Sequence, residues 1–321
     1  MRQKILRELW RHKGEFVSGN QIANQLNMSR VAVWKHINIL KNEGYQVIGT
    51  KGKGYSLKDY HSIIVPEEVT ANLNTRLIGK DIRFYSEVDS TNEVLKRMLM
   101  NNESKEGMVV AALNQEKGKG RLRREWNSPR GGLWFSLILN PSIALERVAL
   151  FSLVFAVAVA AGIEQLVNEG ITIKWPNDIY IREKKVAGIL LELSGELDGT
   201  ENIIMGCGIN VNIKKHQFPG ELQNGVTSLL EEYYKYFDNN ELLITILQSI
   251  EKYYFRFITC GFEDILDEFK AYCNHLGKEV QVNQGDKTII GITSDIDING
   301  SLVINTGEKE VKLSTGDVSV V

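Results

Sequence analysis

The chain has 321 residues, 43% of them hydrophobic and 24% charged, with a formal net charge of −2. This is the composition of a soluble globular protein and excludes collagen, coiled coil and a disordered tail; the length suits two or three domains of about 100–200 residues. Three cysteines, Cys207, Cys260 and Cys273, lie far apart with no CxxC pair. That argues against a disulfide framework or a cysteine zinc site and fits a reducing cytoplasm.

The near-neutral total hides an asymmetry. Residues 1–60 carry 11 Lys/Arg against 4 Asp/Glu, a local +7, and the remainder is −9. A basic segment on an acidic body is expected where one module meets nucleic acid and the other does not. Charges recur from Arg2 to Lys13, so the N-terminus is not a signal peptide.

Ile5, Leu6, Leu9 and Trp10 repeat at helical spacing. Ser18 followed by Gln21 is a capping-box signature, and Ser29 can cap a further helix that ends at Gly44. On that helix Val33, Ile37 and Leu40 form an inner stripe. Val31, Lys35 and Asn38 point the other way, with Arg30 and Trp34 on the flanks. Two short strands then flank Lys51-Gly52-Lys53-Gly54. A helix–turn–helix beside a basic hairpin reads as a winged DNA-binding module, with Lys51 and Lys53 on phosphates and the second helix in a major groove. Residues 1–62 are expected to form it, since Pro66 interrupts the pattern soon afterwards. A small three-helix domain docking a protein partner is the alternative.

Residues 82–213 alternate strand-like and helix-like runs, which predicts a mixed sheet with helices on one face. The most apolar run, Val148 to Ile163, is shorter than the about 20 residues of a membrane span and precedes Glu164, so it is expected to be a core helix rather than a membrane anchor. Four places hold polar groups that packing does not explain: Ser90-Thr91-Asn92; Gln115 with the loop Gly118 to Trp126; "KWPND", Lys174 to Asp178; and "KVAGIL", Lys185 to Leu190. The plain alternatives are a capped helix, a solvated or nucleic-acid-binding basic face, a proline turn and a solvated lysine. The basic loop lacks the GxxxxGK[ST] spacing of a Walker A loop.

After Gly277 a run of short alternating strands predicts a small β-domain, with Asn299-Gly300 as a two-residue hairpin signal.

In this order, the winged module ending "GKGYSL", then "STN", "GKGRLRREW", "KWPND", "KVAGIL" and "GCGIN", resemble the bifunctional biotin–protein ligases that also repress biotin operons. The resemblance covers almost the whole chain. It implies an α+β protein: a winged helix–turn–helix at 1–62, a mixed-sheet α/β ligase domain at 63–274 and an SH3-like barrel at 275–321. It implies biotin, ATP and Mg²⁺, with biotinyl-5′-AMP as intermediate and corepressor. Partners implied are operator DNA, the biotin carboxyl carrier domain of a carboxylase and a second copy of the chain when ligand is bound.

The resemblance assigns Ser90, Thr91, Asn92, Gln115, Lys119, Gly120, Arg121, Trp134, Lys185 and Gly188 to biotin. It assigns Gly118, Lys119, Arg121, Arg124, Trp126, Lys174, Asn177 and Asn210 to the nucleotide, with Arg121, Lys174 and Lys185 as catalytic cations and Asp178 on the metal side. Operator contacts fall to Ser18, Gln21, Ser29, Arg30, Val31, Trp34, Lys35, Asn38, Lys51 and Lys53. The chemistry explains the five cations crowded between Glu116 and Trp126. A carboxylate must attack a triphosphate, and fixed cations stabilise the charge that gathers at phosphorus. Like charges on one loop also repel, which predicts disorder without ligand. One departure stands out: the family pattern GRGR reads GKGR here, so Lys119 lacks the planar fork of arginine. A biotin sensor without chemistry and a lipoate-type ligase are the rival readings.

Overall fold

The computed structural model describes residues 1–167, 170–195, 201–284 and 287–320. Helix α1 (Arg2–Arg11) buries Ile5, Leu6 and Leu9. Helix α2 (Gly19–Gln25) starts where the Ser18 hydroxyl accepts from the Gln21 N–H at 3.1 Å. Helix α3 (Arg30–Asn42) starts where Ser29 accepts from Ala32 N–H at 3.2 Å, and it buries Val33, Ile37 and Leu40. Each hydroxyl satisfies a donor that the first helical turn leaves unpaired. Strands β1 (Val47–Thr50) and β2 (Gly54–Leu57) form an antiparallel hairpin with an exposed lysine tip. Side chains from beyond the hairpin complete this small core: Ile63, Val65 and Leu113 pack among its apolar residues.

After α4 (Pro66–Asn72) come β3 (Ile82–Tyr85), α5 (Thr91–Met100), β4 (Val109–Ala112) and β5 (Leu133–Leu139). Then follow α6 (Phe151–Val167), β6 (Ile171–Lys174), β7 (Asp178–Ile181), β8 (Lys184–Gly195) and β9 (Glu201–Ile209). The strands form one sheet in the order β3-β4-β5-β9-β8-β7-β6, with only the β3–β4 pair parallel. Helices α7 (Leu229–Tyr233), α8 (Asn239–Cys260) and α9 (Glu263–Tyr272) follow.

The expectation of helices on one face is corrected. Val109 and Ala111 face the large core with α6 and α8, whereas Val110 and Ile138 face α5 through Val94, Leu95 and Leu99. Strands covered on both sides read as continuous apolar runs, which is why the two layers were not separable from pattern. From Glu146 to Val167 the chain is helical, long enough and apolar enough to cross a membrane, yet α6 is buried against α8. Gly162 permits that approach: a Cβ there would meet the Ile246 Cα at 2.9 Å.

The C-terminal strands β10 (Glu279–Gln284), β11 (Lys287–Ile296), β12 (Leu302–Asn305), β13 (Glu310–Leu313) and β14 (Asp317–Val320) pair in the order β13-β12-β11-β10-β14. Among the described residues β13 and β14 do not pair, so a closed barrel is not formed. The two-residue hairpin expected at Asn299-Gly300 is a longer loop. Asp297 accepts from the N–H groups of Asn299 (3.0 Å) and Ser301 (2.9 Å) and so organises the turn from outside the dipeptide. The Gly300 carbonyl then accepts from the Trp175 indole at 2.9 Å, fastening this domain to "KWPND".

Candidate functional site

Strand register assembles the site. Across the sheet, Lys174 pairs with Asp178, Asp178 with Gly188, Gly188 with Gly208, and Gly208 with Trp134. Facing partners in a ladder present side chains to the same face. Motifs far apart in sequence therefore share one row, and a cleft of about 220 Å³ opens above it.

Ser90, Thr91 and Asn92 enter from the start of α5. Ser90 is the N-cap residue, but its side chain makes no capping bond, which removes the plain helix-cap reading for its hydroxyl. Gln115 ties this turn to the basic loop. Its carbonyl accepts from Thr91 N–H at 2.8 Å, and its amide donates to Ser128 at 2.9 Å. Buried Ser136 donates to Thr91 Oγ1 at 2.6 Å, so the turn is held from below.

The basic loop is a short hairpin. Trp126 N–H donates to the Gly118 carbonyl at 2.9 Å, and Gly120 N–H to that of Arg124 at 2.8 Å. Trp126 lies over Gly208 and Gly188. A Cβ on Gly208 would collide with its indole, so glycine is required by this close approach. Among the described residues the buried Trp126 indole N–H has no partner.

The repulsion expected within the loop is offset. Lys119 meets Glu93 at 2.7 Å and Arg124 meets Asp317 at 2.6 Å. Lys185 pairs with Asp178 at 2.6 Å and sits 5.0 Å from the Trp126 ring centroid. Arg121 instead donates to the amide oxygen of Asn177 at 3.0 Å. Among the described residues neither Arg121 nor Lys174 forms an ion pair. Burial holds both below their ordinary pKa values, partly countered by Asp178 and Asp317. A half-buried cation without an acidic partner is poised for an anionic ligand.

Three separate family models match in order: an HTH domain over residues 1–56, the biotin/lipoate A/B protein ligase family over 84–210, and the biotin protein ligase C-terminal domain over 275–321. The bifunctional ligase/repressor BirA of Bacillus subtilis is 37% identical over 99% of this chain and 98% of its own. The chain belongs to the biotin protein ligase family. Its relative of the same name in Escherichia coli is 31% identical over 91% of this chain and 88% of its own. A solved biotin protein ligase from Aquifex aeolicus, in complex with biotin and ATP, superimposes with a TM-score of 0.68 at 33% identity. It covers 75% of this chain and 99% of that one.

In this ligase family member the cleft brings together Ser90, Thr91, Asn92, Gln115, Lys119, Gly120, Arg121, Arg124 and Trp126 with Asn177, Asp178, Lys185, Gly188 and Asn210. Three expected residues do not line it. Trp134 is fully buried against Phe218 and Trp126, and its indole N–H donates to the Pro129 carbonyl at 3.0 Å. Gly118 packs against Ser128 and the Trp126 carbonyl. Lys174 ends the row outside the cleft lining, 5.6 Å from the Tyr180 ring centroid. The Asn210 amide is committed to the Thr227 carbonyl at 2.9 Å, so it braces the following loop.

Sequence reading missed Gly316 and Asp317, which the C-terminal domain lends to the cleft, and Phe218, Leu222 and Val226 from the loop after β9. "STGDVSVV" carries no local sign of a site. Only domain packing brings Asp317 to Arg124.

On the N-terminal module Val31 and Trp34 are exposed by 63% and 55%, and Arg30 and Lys35 are exposed beside them. Large apolar side chains left in solvent on a basic helix mark a contact surface. Ser18 and Ser29 are exposed, and both hydroxyls serve as helix caps. Gln21, Lys51 and Lys53 are exposed, and Asn38 is half-buried.

Proposed function

We infer that this chain is an ATP-dependent biotin–protein ligase that also represses transcription. The observation that carries the ligase reading is Arg121: a half-buried guanidinium in the cleft, aimed by neutral Asn177 and without an ion pair among the described residues.

In the first step a biotin carboxylate oxygen attacks the α-phosphorus of ATP. The bond to the bridging oxygen breaks, pyrophosphate leaves and biotinyl-5′-AMP forms. Arg121 and Lys185 offset the repulsion between the two anions, and Lys174 adds positive potential from the end of the row. Ser90, Thr91, Asn92 and Gln115 supply short polar groups for the ureido ring, with Lys119 and Gly120 closing over it. Trp126 and Arg124 cover the nucleotide end and exclude water from the anhydride. In the second step a carrier-domain lysine amine attacks the acyl carbon, AMP leaves and the amine gives up a proton. Positioning and charge stabilisation carry both steps.

Magnesium fits this site as a companion of the nucleotide. The described residues hold no cluster of three metal-ligating side chains, while Asp178 presents one carboxylate to the cleft. Mg²⁺ requires only one or two protein carboxylates when phosphates and water complete its shell. With nucleotide bound it supplies charge neutralisation on the phosphate oxygens.

The exposed face of α3 and the lysine-tipped hairpin support operator binding, with Arg30, Val31, Trp34, Lys35 and Asn38 toward bases and Lys51 and Lys53 toward phosphates. Gln21 lies beside them on α2. A two-fold operator implies a homodimer, favoured when adenylate orders the cleft loops. Sedimentation with and without biotinyl-5′-AMP tests it; an unchanged monomer–dimer balance rules it out. We place domain boundaries near residues 62 and 274 and read the C-terminal sheet, with its bulged β11, as SH3-like. Incorporation of labelled biotin into a carrier domain, dependent on ATP and resistant to competing lipoate, tests the enzyme. Incorporation of lipoate instead overturns it.

A further inference from the structure

Position 119 is where the basic loop departs from the arginine of the family pattern, and the structure supplies a partner suited to a lysine. Lys119 Nζ donates to Glu93 Oε1 at 2.7 Å. The same oxygen accepts from Lys96 Nζ at 3.1 Å, and Lys96 also reaches Glu192 Oε1 at 2.7 Å. The second Glu192 oxygen accepts from Asn92 Nδ2 at 2.6 Å. Alternating charges thus run from the loop, across the first turn of α5, to β8 and back to the cleft wall at Asn92. The two lysines and two glutamates sum to zero. A compact ammonium can share one carboxylate oxygen with a second ammonium, whereas a guanidinium fork prefers both oxygens to itself.

We propose that Glu93 is a positioning residue of this ligase: it captures Lys119 and pins one end of the basic loop against the Ser90–Asn92 turn. Glu93 does not line the cleft, so it acts through Lys119. The other end is pinned separately by Arg124 on Asp317. Between the two anchors the apex is free of apolar cover, with Leu122 74% exposed. Exposed ion pairs contribute little individually, and about three- to fivefold in a local equilibrium is the scale to expect. On a loop that closes over a ligand, that factor appears directly as apparent affinity. The effect on biotin rests on the ligase reading; the effect on the loop does not.

Hydrogen exchange on the ligand-free full chain tests the anchor. In Glu93→Gln, amides 118–122 are expected to exchange about threefold faster, with the β1–β2 hairpin unchanged. Lys119→Ala should match it, and the double variant should add nothing to loop exchange, because both changes remove the same Glu93–Lys119 anchor. Unchanged exchange in Glu93→Gln, as for a loop already fully open, overturns the proposal; so do additive effects. In ligation assays Glu93→Gln should raise KM for biotin about threefold and leave kcat within about twofold. A fall in kcat at constant KM overturns the positioning role. Should the wild-type chain incorporate no biotin, the ligase reading fails, while the exchange experiment still decides the anchor.

Discussion

Arg121 Nη1 donates to Asn177 Oδ1 at 3.0 Å, and the Asn177 amide nitrogen is itself held by the Ile189 carbonyl. A neutral partner aims the guanidinium without neutralising it. Arg121→Ala is expected to lower adenylate formation about 100-fold, the scale of losing one donor to developing charge. Asn177→Ala should cost less, about tenfold, because the cation stays but loses its aim. Pyrophosphate release under single-turnover conditions measures both.

Asp317 couples the C-terminal domain to the cleft. Burial raises its pKa, but the Arg124 hydrogen bond, with Lys174 and Arg121 nearby, outweighs burial and holds the carboxyl below its ordinary value. A depressed carboxylate contributes stability above its unfolded pKa and loses it as pH falls through the folded one. The pair therefore persists at neutral pH and is lost only in acid. Asp317→Asn at pH 7 should raise KM for ATP several-fold while the melting temperature moves by at most about 2 °C. Equal KM values would remove Asp317 from the site.

Gly208 underlies the Trp126 indole. Gly208→Ala should displace that ring and weaken ligand binding about tenfold or more, with fold retained by circular dichroism. Tryptophan fluorescence quenching on titration with biotin reports the displacement. Gly220→Ala, where no atom lies within 4 Å of the added carbon, is the control.

His275 is fully buried between α9 and β10, and burial, with Lys174 and Lys278 nearby, lowers its pKa to about 4. The unfolded chain binds a proton near pH 6.5 and the folded chain does not. Stability is therefore full above about pH 6.5 and falls as pH drops toward 4, by at most on the order of 3 kcal/mol. Denaturant titrations of His275→Gln should show a shallower acid slope over that window.

Trp34 and Lys35 face solvent on α3. Alanine at either should weaken operator binding and leave ligation unchanged. Removing Lys51 or Lys53 should reduce the salt slope of DNA binding by about one for each phosphate left without its lysine. A salt-independent complex would mean that this face binds protein.

Much of this was legible without coordinates because local signals carried it. Ser18 and Ser29 predicted two helix starts, Val33, Ile37 and Leu40 a buried stripe, and the glycine-spaced lysines a hairpin tip. "KWPND" and the basic loop stood out as polar groups that packing did not require. What failed was non-local. The turn at Asn299-Gly300 was set by Asp297, and the second helical layer was invisible in strands apolar on both faces.

The sequence by itself determined the order of modules, the helix caps, the family motifs and the charge division between a basic head and an acidic body. These depend on neighbours within a few residues. Tertiary structure alone decided which cations are paired and which stay free. It did so through strand register, which sets Lys174, Asp178, Gly188 and Gly208 in one row, and through domain packing, which brings Asp317 to Arg124. Charge pairing depends on distance in space, and no local pattern encodes the approach of residues 124 and 317.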